Sequence, residues 1–430
     1  MRTCTPGPVR APTTAASTVA LLALVGGCPA EPPPPVPVAP VEWPNEASRA
    51  NSDRWLVEHH DEIDVLRPRI LVLNFVNGDT QQQAQDLADR IIAALVESSR
   101  PRGYDDADAP PALEPEVLAV VDLRDDDAPG AQRLNSAYYP REEPVEGMWG
   151  FDYEALFTAA FAAQMNLLDP DHPDDGALDL CTAIDRGLVH EVWVYGDGDH
   201  PDVSAAEILE NKPVYDAAGN ATGAMNRCAG NGCFDEEDDI PCARTVRIGW
   251  VNSTRGPGCF LESLGHGVES IGAWNEDVVP QLSRDFIPFA NYRLDERYGL
   301  PVDSWYACPY DRPCLAYPTT TSVAYVLDGA SGEIDDYDAV CGNVHWPPNG
   351  RTQYDLLNTA PVLTSCAHYG DGTGAKEEFT NAAFAPYREL APDCMGPFLV
   401  WWRQNWPGPH TSKVAADGTP MTSWWPYLYY

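Results

Sequence analysis

Short apolar runs alternate with segments of helical periodicity from residue 69 onward, and this alternation constrains the fold more than any other feature of the chain. The pattern is typical of strands joined by crossover helices, which form parallel sheets. The runs carry few polar residues, as expected of strands buried on both faces. They lie at residues 69–75, 117–123, 189–195 and 245–251. The sequence therefore predicts the α/β class, with an open, mainly parallel sheet and crossover helices.

Two of the helices between these strands have clear start signals. Thr80 is a suitable N-cap for a helix that Pro101 ends, and Asp152 can cap a second helix with apolar residues from Leu156 to Met165. Both segments place apolar residues at helical spacing, so each is expected to bury one face against the sheet.

The chain changes in composition beyond residue 275, where Pro, Gly, Trp, Tyr and Cys become frequent and periodicity is lost. We expect residues 47–275 to form the sheet core and residues 276–430 to form an irregular, disulfide-rich region packed on it. Residues 215–241 contain cysteines and the acidic run 235–239, and are predicted to be an insertion in the core. For that run, a solvated loop is favoured over a calcium site.

The first 46 residues are predicted to export and anchor the protein. Arg2 and Arg10 precede a short apolar run that ends in small residues before Cys28, a pattern that resembles the signal peptides of bacterial lipoproteins. Residues 1–27 would be removed and Cys28 would carry the lipid, which makes a membrane the expected partner, at the outer membrane or cell surface. Residues 28–46 are Pro-rich and predict an extended tether.

The net charge of the chain excludes one class of partner. Lys and Arg number 27 against 65 Asp and Glu, which gives a formal charge of -38. Nucleic acids are bound through Lys and Arg that replace counterions, so nucleic acid is not an expected partner. Because 44% of the residues are apolar, the acidity does not indicate a disordered tail.

The cysteines indicate an oxidising compartment. Without Cys4 and Cys28 the chain keeps ten, an even number, and export favours disulfides over thiols, so up to five bonds are expected. The spacing of Cys228, Cys233 and Cys242 lacks a fourth ligand for a structural zinc site, and disulfides are favoured there also. The pairing cannot be deduced from the sequence.

The helix predicted over residues 259–272 contains the strongest candidate site. Glu262, His266 and Glu269 share one stripe of this helix, and together they offer a ligand set that Zn²⁺ or a similar divalent metal accepts. His266 lies between two glycines, each of which costs a helix interior about 1 kcal/mol relative to alanine. A loop or ligand close to the helix would explain them. A buried polar network and an exposed polar face are the alternatives.

Three further positions extend the candidate site. Asp197 follows the third strand in a Gly-rich, acidic stretch that is able to bind a cation, including calcium. Asn252 and Arg255 precede the candidate helix, where a helix N-terminus favours an anion or an anionic substrate. His345 lies on a stiff loop between Val344 and a Trp-Pro-Pro run, and is predicted to be either a positioned acid, base or ligand, or a packed core histidine.

Two motifs resemble those of a family of secreted bacterial and fungal α/β proteins of uncharacterised activity. They are the Gly-His-x-x-Glu segment of the candidate helix, 265–269, and the His-Trp-Pro-Pro-Asn loop, 345–349, followed by Tyr354. The resemblance spans about residues 69 to 407. It implies a secreted protein and implies no activity.

Three functions fit these residues. The first is a metal-dependent hydrolase in which Glu262, His266 and Glu269 hold the ion, with His345 or Asp197 as a further member. The second is a glycoside hydrolase with Glu262 and Glu269 as its paired carboxylates. The third is a surface protein that binds carbohydrate or calcium without catalysis. Six C-terminal aromatic residues are able to stack on sugars or to close a core: Trp401, Trp402, Trp406, Trp424, Trp425 and Tyr427.

Overall fold

The strands and helices can be followed through most of the chain from residue 39 onward in a computed structural model. It describes residues 39–48, 52–125, 135–141, 150–169, 171–198, 209–216, 218, 220–226, 229–230, 240–310 and 312–430. The predicted lipidation site Cys28, the acidic run 235–239, and the cysteines at 228 and 233 lie outside these residues.

The described residues contain thirteen strands and eight α-helices. The strands are β1 (Glu42–Trp43), β2 (Val65–Leu66), β3 (Arg69–Asn74), β4 (Glu116–Asp122), β5 (Glu191–Gly196), β6 (Leu209–Tyr215), β7 (Ala221–Asn226), β8 (Val246–Asn252), β9 (Leu315–Thr319), β10 (Ser322–Leu327), β11 (Ala330–Ile334), β12 (Val362–Thr364) and β13 (Glu377–Phe379). The helices are α1 (Ser52–His59), α2 (Gln81–Ser98), α3 (Ala159–Met165), α4 (Leu180–Asp185), α5 (Pro257–Glu269), α6 (Pro280–Phe289), α7 (Leu294–Tyr298) and α8 (Gly396–Arg403).

A six-stranded sheet with the order β4-β3-β5-β8-β6-β7 forms the centre of the fold. The four strands predicted from the apolar runs, β3, β4, β5 and β8, pair in parallel, which confirms the α/β prediction. β6 and β7 are antiparallel additions at one edge. β7 lies inside the segment 215–241 that was predicted to be an insertion. Its residues are mostly exposed and carry no apolar run, so the sequence pattern does not reveal this strand.

Helices cover both faces of the sheet. On one face, side chains such as Ile70 and Val72 pack with α2, α5 and α8. On the other face, Leu71 and Leu73 pack with α3 and α4. The Thr80 cap is confirmed, since its hydroxyl accepts a hydrogen bond from the Gln83 N–H. The predicted helix from Asp152 is instead a short 3₁₀ turn, 154–157, followed by α3.

The folded unit begins earlier than predicted, since it spans Pro40–Tyr430. β1 pairs in parallel with β2, and the Trp43 side chain is buried beneath Tyr429. The end of the segment predicted to be a tether, 28–46, is therefore part of the fold. An indole that buries its ring against the core explains why a proline-rich segment is fixed there.

The C-terminal region contains a three-stranded antiparallel sheet, β9 to β11, and a two-stranded one, β12 and β13. It also contains helices α6 to α8. Its aromatic residues close the core. Those proposed as sugar platforms are all buried and pack against other aromatic rings: Trp401, Trp402, Trp406, Trp424, Trp425 and Tyr427. They are therefore not available to stack on sugars.

Four disulfides lie within the described residues, and they close segments of very different length. The four bonds are Cys181–Cys242, Cys259–Cys394, Cys308–Cys314 and Cys341–Cys366. Bonds of this kind persist in oxidising compartments, so the protein is extracytoplasmic. Within the described residues, no helix combines the length and the apolar character that crossing a membrane requires.

Candidate metal centre

Helix α5 carries the candidate site, and its first turn is fixed by residues far along the chain. The Asp393 carboxylate accepts hydrogen bonds from the Gly256 and Gly258 N–H groups at 2.7 and 2.9 Å. The disulfide Cys259–Cys394 links the same two segments covalently. Free N–H groups at a helix start are normally satisfied by such an acceptor. The start of α5 is therefore held to the segment that precedes α8.

One face of α5 packs into the core. Leu261, Leu264 and Val268 are buried in the core. At Gly265 a β-carbon would lie 2.7 Å from Cγ2 of Val344, closer than atoms can approach. The glycine in this helix thus admits the loop that carries His345, which confirms the expectation that a loop lies close to the helix.

The loop around His345 is a tight turn. Asn343 and Trp346 exchange backbone hydrogen bonds of 3.1 and 3.0 Å. Gly342 has a φ of 69°, and a β-carbon there would collide with the Trp346 carbonyl oxygen, so only glycine fits. The disulfide Cys341–Cys366 fixes the start of the turn. This framework presents the His345 ring to α5.

Three side chains converge between α5 and this loop. The Nε2 atoms of His266 and His345 are 2.9 Å apart, and Oε1 of Glu262 is 3.3 Å from Nε2 of His345. The three form a group whose ligand atoms all lie within 4.8 Å of one another. Their side chains are 7 to 14% exposed, so the group is shielded from solvent but reachable from it.

Both imidazole rings have their Nδ1 atoms engaged by acceptors. His266 Nδ1 lies 2.8 Å from a Glu269 carboxylate oxygen, and His345 Nδ1 lies 2.8 Å from Oε1 of Gln353. The Gln353 amide is oriented by its own N–H₂, which donates to the Cys308 carbonyl. A carboxylate and an amide oxygen only accept, so both Nδ1 atoms carry hydrogen. In neutral rings, both Nε2 atoms then present lone pairs to each other, and a cation or an extra proton must separate them.

Glu262 contributes a negative charge next to the two Nε2 atoms. Its Oε2 accepts a hydrogen bond from the Met395 N–H at 3.2 Å, and its Oε1 accepts one from the Tyr354 hydroxyl at 2.8 Å. Burial by itself would raise the pKa of Glu262, but hydrogen bonding and charge at His345, together with the Tyr354 hydroxyl, outweigh it and hold the pKa below its ordinary value. The carboxylate is therefore ionised beside the two imidazole rings.

Glu269 differs from its predicted role. It is fully buried, and besides His266 its oxygens accept hydrogen bonds from the Val344 N–H and the Tyr306 hydroxyl. Burial and this carboxylate hold the pKa of Tyr306 well above its ordinary value, so the phenol stays a donor. Glu269 lies one turn beyond His266 on α5. Its carboxylate therefore contacts the Nδ1 atom of His266 and not the space that Nε2 of His266 faces. It orients a ligand instead of acting as one.

Asp197 is also outside the group. It is buried at the end of β5, where its backbone N–H donates to Oδ1 of Asn135 at 2.7 Å. α5 starts after the neighbouring strand β8, and His266 lies nine residues into it, about 14 Å along a helix that rises 1.5 Å per residue. The candidate centre therefore lies away from the sheet edge at which Asp197 is found. The glycine-rich stretch beyond residue 198 is outside the described residues.

The predicted anion site at the start of α5 contains a carboxylate of the chain itself. Asp393 takes the N–H groups that an anion would use. Asn252 instead closes a turn by accepting from the Thr254 N–H and hydroxyl, and Arg255 is exposed. Anion binding by Asn252 and Arg255 stays a prediction, and the Asp393 contacts argue against it.

Sequence reasoning missed three contributors to the site. Gln353 and Tyr306 carry no local signal, because their roles depend on contacts that only the folded chain creates. The third is a π-helical segment, Ser270–Trp274, that continues α5 and brings Trp274 parallel to the His266 ring at 6.4 Å between centroids. Segments of this kind often occur at functional sites. Trp274 is half exposed and forms one rim of the site.

The donor set fits a zinc-like ion. Zn²⁺ takes two histidines and a carboxylate at about 2.0–2.1 Å, which separates neighbouring ligand atoms by roughly 3.3 Å. The distances of 2.9 and 3.3 Å between the three side chains are close to this, so a small outward shift of His266 would admit an ion. Among the described residues, the other group with suitable atoms is Cys259, Asp393 and Cys394, whose sulfurs are already bonded to each other.

Comparisons with family models, with curated proteins and with solved structures found no match to this chain. The resemblance suggested by the two sequence motifs stays a prediction. Any function must therefore be argued from the geometry of the site itself.

Proposed function

We propose that this protein is an extracytoplasmic metal-dependent hydrolase whose ion is held by Glu262, His266 and His345. The observation that carries the proposal is the pair of Nε2 atoms 2.9 Å apart, each in a ring whose Nδ1 hydrogen is taken by an acceptor. Two lone pairs and an adjacent carboxylate attract a cation. Two histidines and a glutamate, with one position left for water or substrate, form a ligand set used by catalytic zinc sites.

An ion in such a site lowers the pKa of bound water to about 7 and polarises a carbonyl or phosphoryl oxygen, which supports hydrolysis at neutral pH. The side chains around it have separate tasks. Glu269 and Gln353 fix the ring orientations through Nδ1, and the Met395 N–H fixes the Glu262 carboxylate. The half-exposed Trp274 provides an apolar surface beside the reacting centre. An additional general base is not needed if water is activated in this way.

A test of this proposal uses protein purified under oxidising conditions without chelator. Hydrolysis of ester, phosphodiester and peptide substrates is measured before metal removal, after it, and after Zn²⁺ is restored. We expect activity toward one class to be lost and then recovered. His266→Ala should not recover, whereas His410→Ala, which alters an exposed histidine paired with Asp64, should behave as the unaltered protein. Hydrolysis that persists without metal would contradict the proposal.

Carbohydrate binding without catalysis is the second candidate, and the exposure of Trp274 favours it. A half-exposed indole next to a polar centre is able to stack on a sugar ring. The glycoside hydrolase with Glu262 and Glu269 as its pair fits less well, since Glu269 has no exposed surface to meet a sugar. A glycan array with the unaltered protein and Trp274→Ala tests this candidate. Binding that the variant loses, in protein without hydrolytic activity, would favour it over the hydrolase.

Attachment to a membrane is proposed on the sequence pattern before Cys28. The lipid at Cys28 would hold the protein at the outer membrane or cell surface, with the Pro-rich residues that follow Cys28 as a spacer. The test is the distribution of the protein in its host between membrane and soluble fractions. Cys28→Ser should move the protein into the soluble fraction, and retention of the variant in membranes would contradict the anchor.

A further inference from the structure

Tyr354 occupies the position beside the candidate ion site where a further ligand would bind. Its hydroxyl oxygen lies 2.8 Å from Oε1 of Glu262 and 2.8 Å from Nε2 of His345. Its ring lies over the His345 ring, with 4.3 Å between centroids. The phenol oxygen therefore contacts two of the three atoms that would hold the ion, at distances similar to those between the ligands themselves.

The backbone at Tyr354 is constrained to place the side chain there. Its φ is 61°, in the left-handed region that a bulky residue rarely adopts. Unusual backbone conformations of this kind persist where the surrounding structure enforces them, and they concentrate at functional sites. The N–H of Tyr354 donates to the His345 carbonyl at 3.1 Å, which ties the strained residue to the loop that carries the histidine.

The flanking residues are fixed, whereas the side chain of Tyr354 is open to solvent. Gln353 is buried and bonds to His345, and Asp355 is buried and pairs with Arg351 through two hydrogen bonds. Tyr354 itself is 43% exposed. Rotation about its side-chain torsions would therefore move the hydroxyl away from the site without unfolding the turn. The arrangement combines an anchored backbone with a ring that can leave.

We propose that Tyr354 is a displaceable oxygen ligand that closes the metal site at rest and gives way when a substrate oxygen binds. The inference rests on the proposed metal site and adds to it the residue that controls access. When the phenol oxygen binds the ion, its hydrogen passes to solvent. When a substrate oxygen replaces it, the phenol takes a hydrogen back from solvent, and no oxidation or reduction occurs.

Cu²⁺ is a direct probe of this contact, because a phenol oxygen bound to Cu²⁺ gives a charge-transfer absorption band in the visible. The full chain is loaded with Cu²⁺ and its stoichiometry is measured. We expect one ion per chain and a visible band. Tyr354→Phe should keep the ion and lose the band. Tyr138→Phe is the matched control, since Tyr138 is exposed to a similar extent, 44%, and is not a member of the three-residue group, and it should keep the band.

Acetohydroxamate, a small bidentate oxygen ligand, tests displacement. Added to the Cu²⁺-loaded protein, it should abolish the phenol band. It should also bind Tyr354→Phe about five- to tenfold more tightly, because the variant has no phenol oxygen that competes for the ion. Equal affinity for the two proteins would overturn the displacement step.

The remaining outcomes separate the two proposals. One bound Cu²⁺ without a band, or a band that survives in Tyr354→Phe, would overturn the role of Tyr354 and leave the metal site standing. A protein that binds no Cu²⁺ in either form would overturn the metal site and the role of Tyr354 with it.

Discussion

Two buried polar clusters of this protein differ in how their charges are balanced. The arginine cluster contains Arg247, whose guanidinium pairs with Glu191 at 3.1 Å and with Glu210 at 2.6 Å, all three nearly inaccessible to solvent. The candidate metal centre contains Glu262, His266 and His345. In the arginine cluster a donor faces each of the carboxylates, whereas in the metal centre acceptor atoms face one another.

In the arginine cluster, a cation of the chain faces both carboxylates. Burial by itself would lower the pKa of Arg247, but the carboxylates of Glu210 and Glu191 outweigh it and raise the pKa above its ordinary value. Glu191 accepts further hydrogen bonds from Trp193 and from the Tyr429 hydroxyl. A buried pair with this many partners has a structural role. The comparison teaches that burial and charge alone do not distinguish the two clusters, whereas the convergence of acceptor atoms does.

Removal of Arg247 is expected to have the largest effect on stability. Arg247→Met leaves Glu191 and Glu210 buried without their ion-pair partner and should lower the free energy of unfolding by about 3–5 kcal/mol. Arg54→Met, which breaks an exposed pair with Glu58, should change it little. Denaturant unfolding of both variants measures the difference. Zinc affinity should be unchanged in both, and a loss in Arg247→Met would show that the two clusters are not independent.

Loss of the Cys259–Cys394 disulfide is expected to weaken both stability and the metal centre. The bond closes a segment of 135 residues, and replacing both cysteines by serine should cost about 2–5 kcal/mol. It also holds Met395 against Glu262, so zinc affinity should fall too. The matched variant removes Cys308–Cys314, which closes only six residues and should cost less. Unfolding and zinc titrations of both variants test this, and unchanged affinity in the first would contradict the positioning role.

Glu269→Gln should have a smaller effect that is confined to the metal centre. The amide no longer offers a charged acceptor to His266 Nδ1, and loss of such an outer partner typically lowers metal affinity about 10- to 100-fold. Competition with a chelating dye measures the affinity. The control is Glu276→Gln, an exposed residue paired with Arg293, which should bind zinc as the unaltered protein does. A Glu269→Gln variant with full affinity would exclude an orienting role for this carboxylate.

A lower pH should affect the two clusters differently. Zinc binding requires neutral His266 and His345, so its affinity should fall steadily as the pH is lowered from 7 to 5. The arginine cluster contains no histidine among its ion pairs, so its contribution to stability should not change over this range. Apo-protein stability should still fall below about pH 6.5, because burial lowers the pKa of His190 to about 3 and this ring takes up a proton only on unfolding. Zinc titrations and denaturant unfolding at each pH compare the two. A zinc affinity independent of pH would argue against imidazole ligands.

The sequence predicted the central sheet because burial on both faces leaves a clear pattern. β3, β4, β5 and β8 lie within two residues of the predicted runs. The antiparallel edge strand β7 was missed, since its exposed residues such as Thr222 have no such pattern. Trp43 was assigned to a tether because the prolines around it indicate extended chain, whereas its contacts with the core form only on folding.

Only the part of the site that depends on helix spacing was predicted. Residues on one helix stripe can be read from spacing, so Glu262 and His266 were found, and the glycine at 265 correctly indicated a close loop. Spacing does not show which ring nitrogen of a histidine a neighbouring side chain contacts. Glu269 was therefore taken for a ligand, although it contacts Nδ1. The pairing of His266 with His345, 79 residues apart, depends on the tertiary fold.

The most direct test of the metal centre is the metal content of the purified protein. The full chain and His345→Ala are equilibrated with Zn²⁺, freed of unbound ion and measured by elemental analysis, with His410→Ala as the control histidine. Our account predicts one zinc per chain in the unaltered protein and in His410→Ala, and none in His345→Ala. Equal zinc content in all three proteins, or none in any of them, would contradict it.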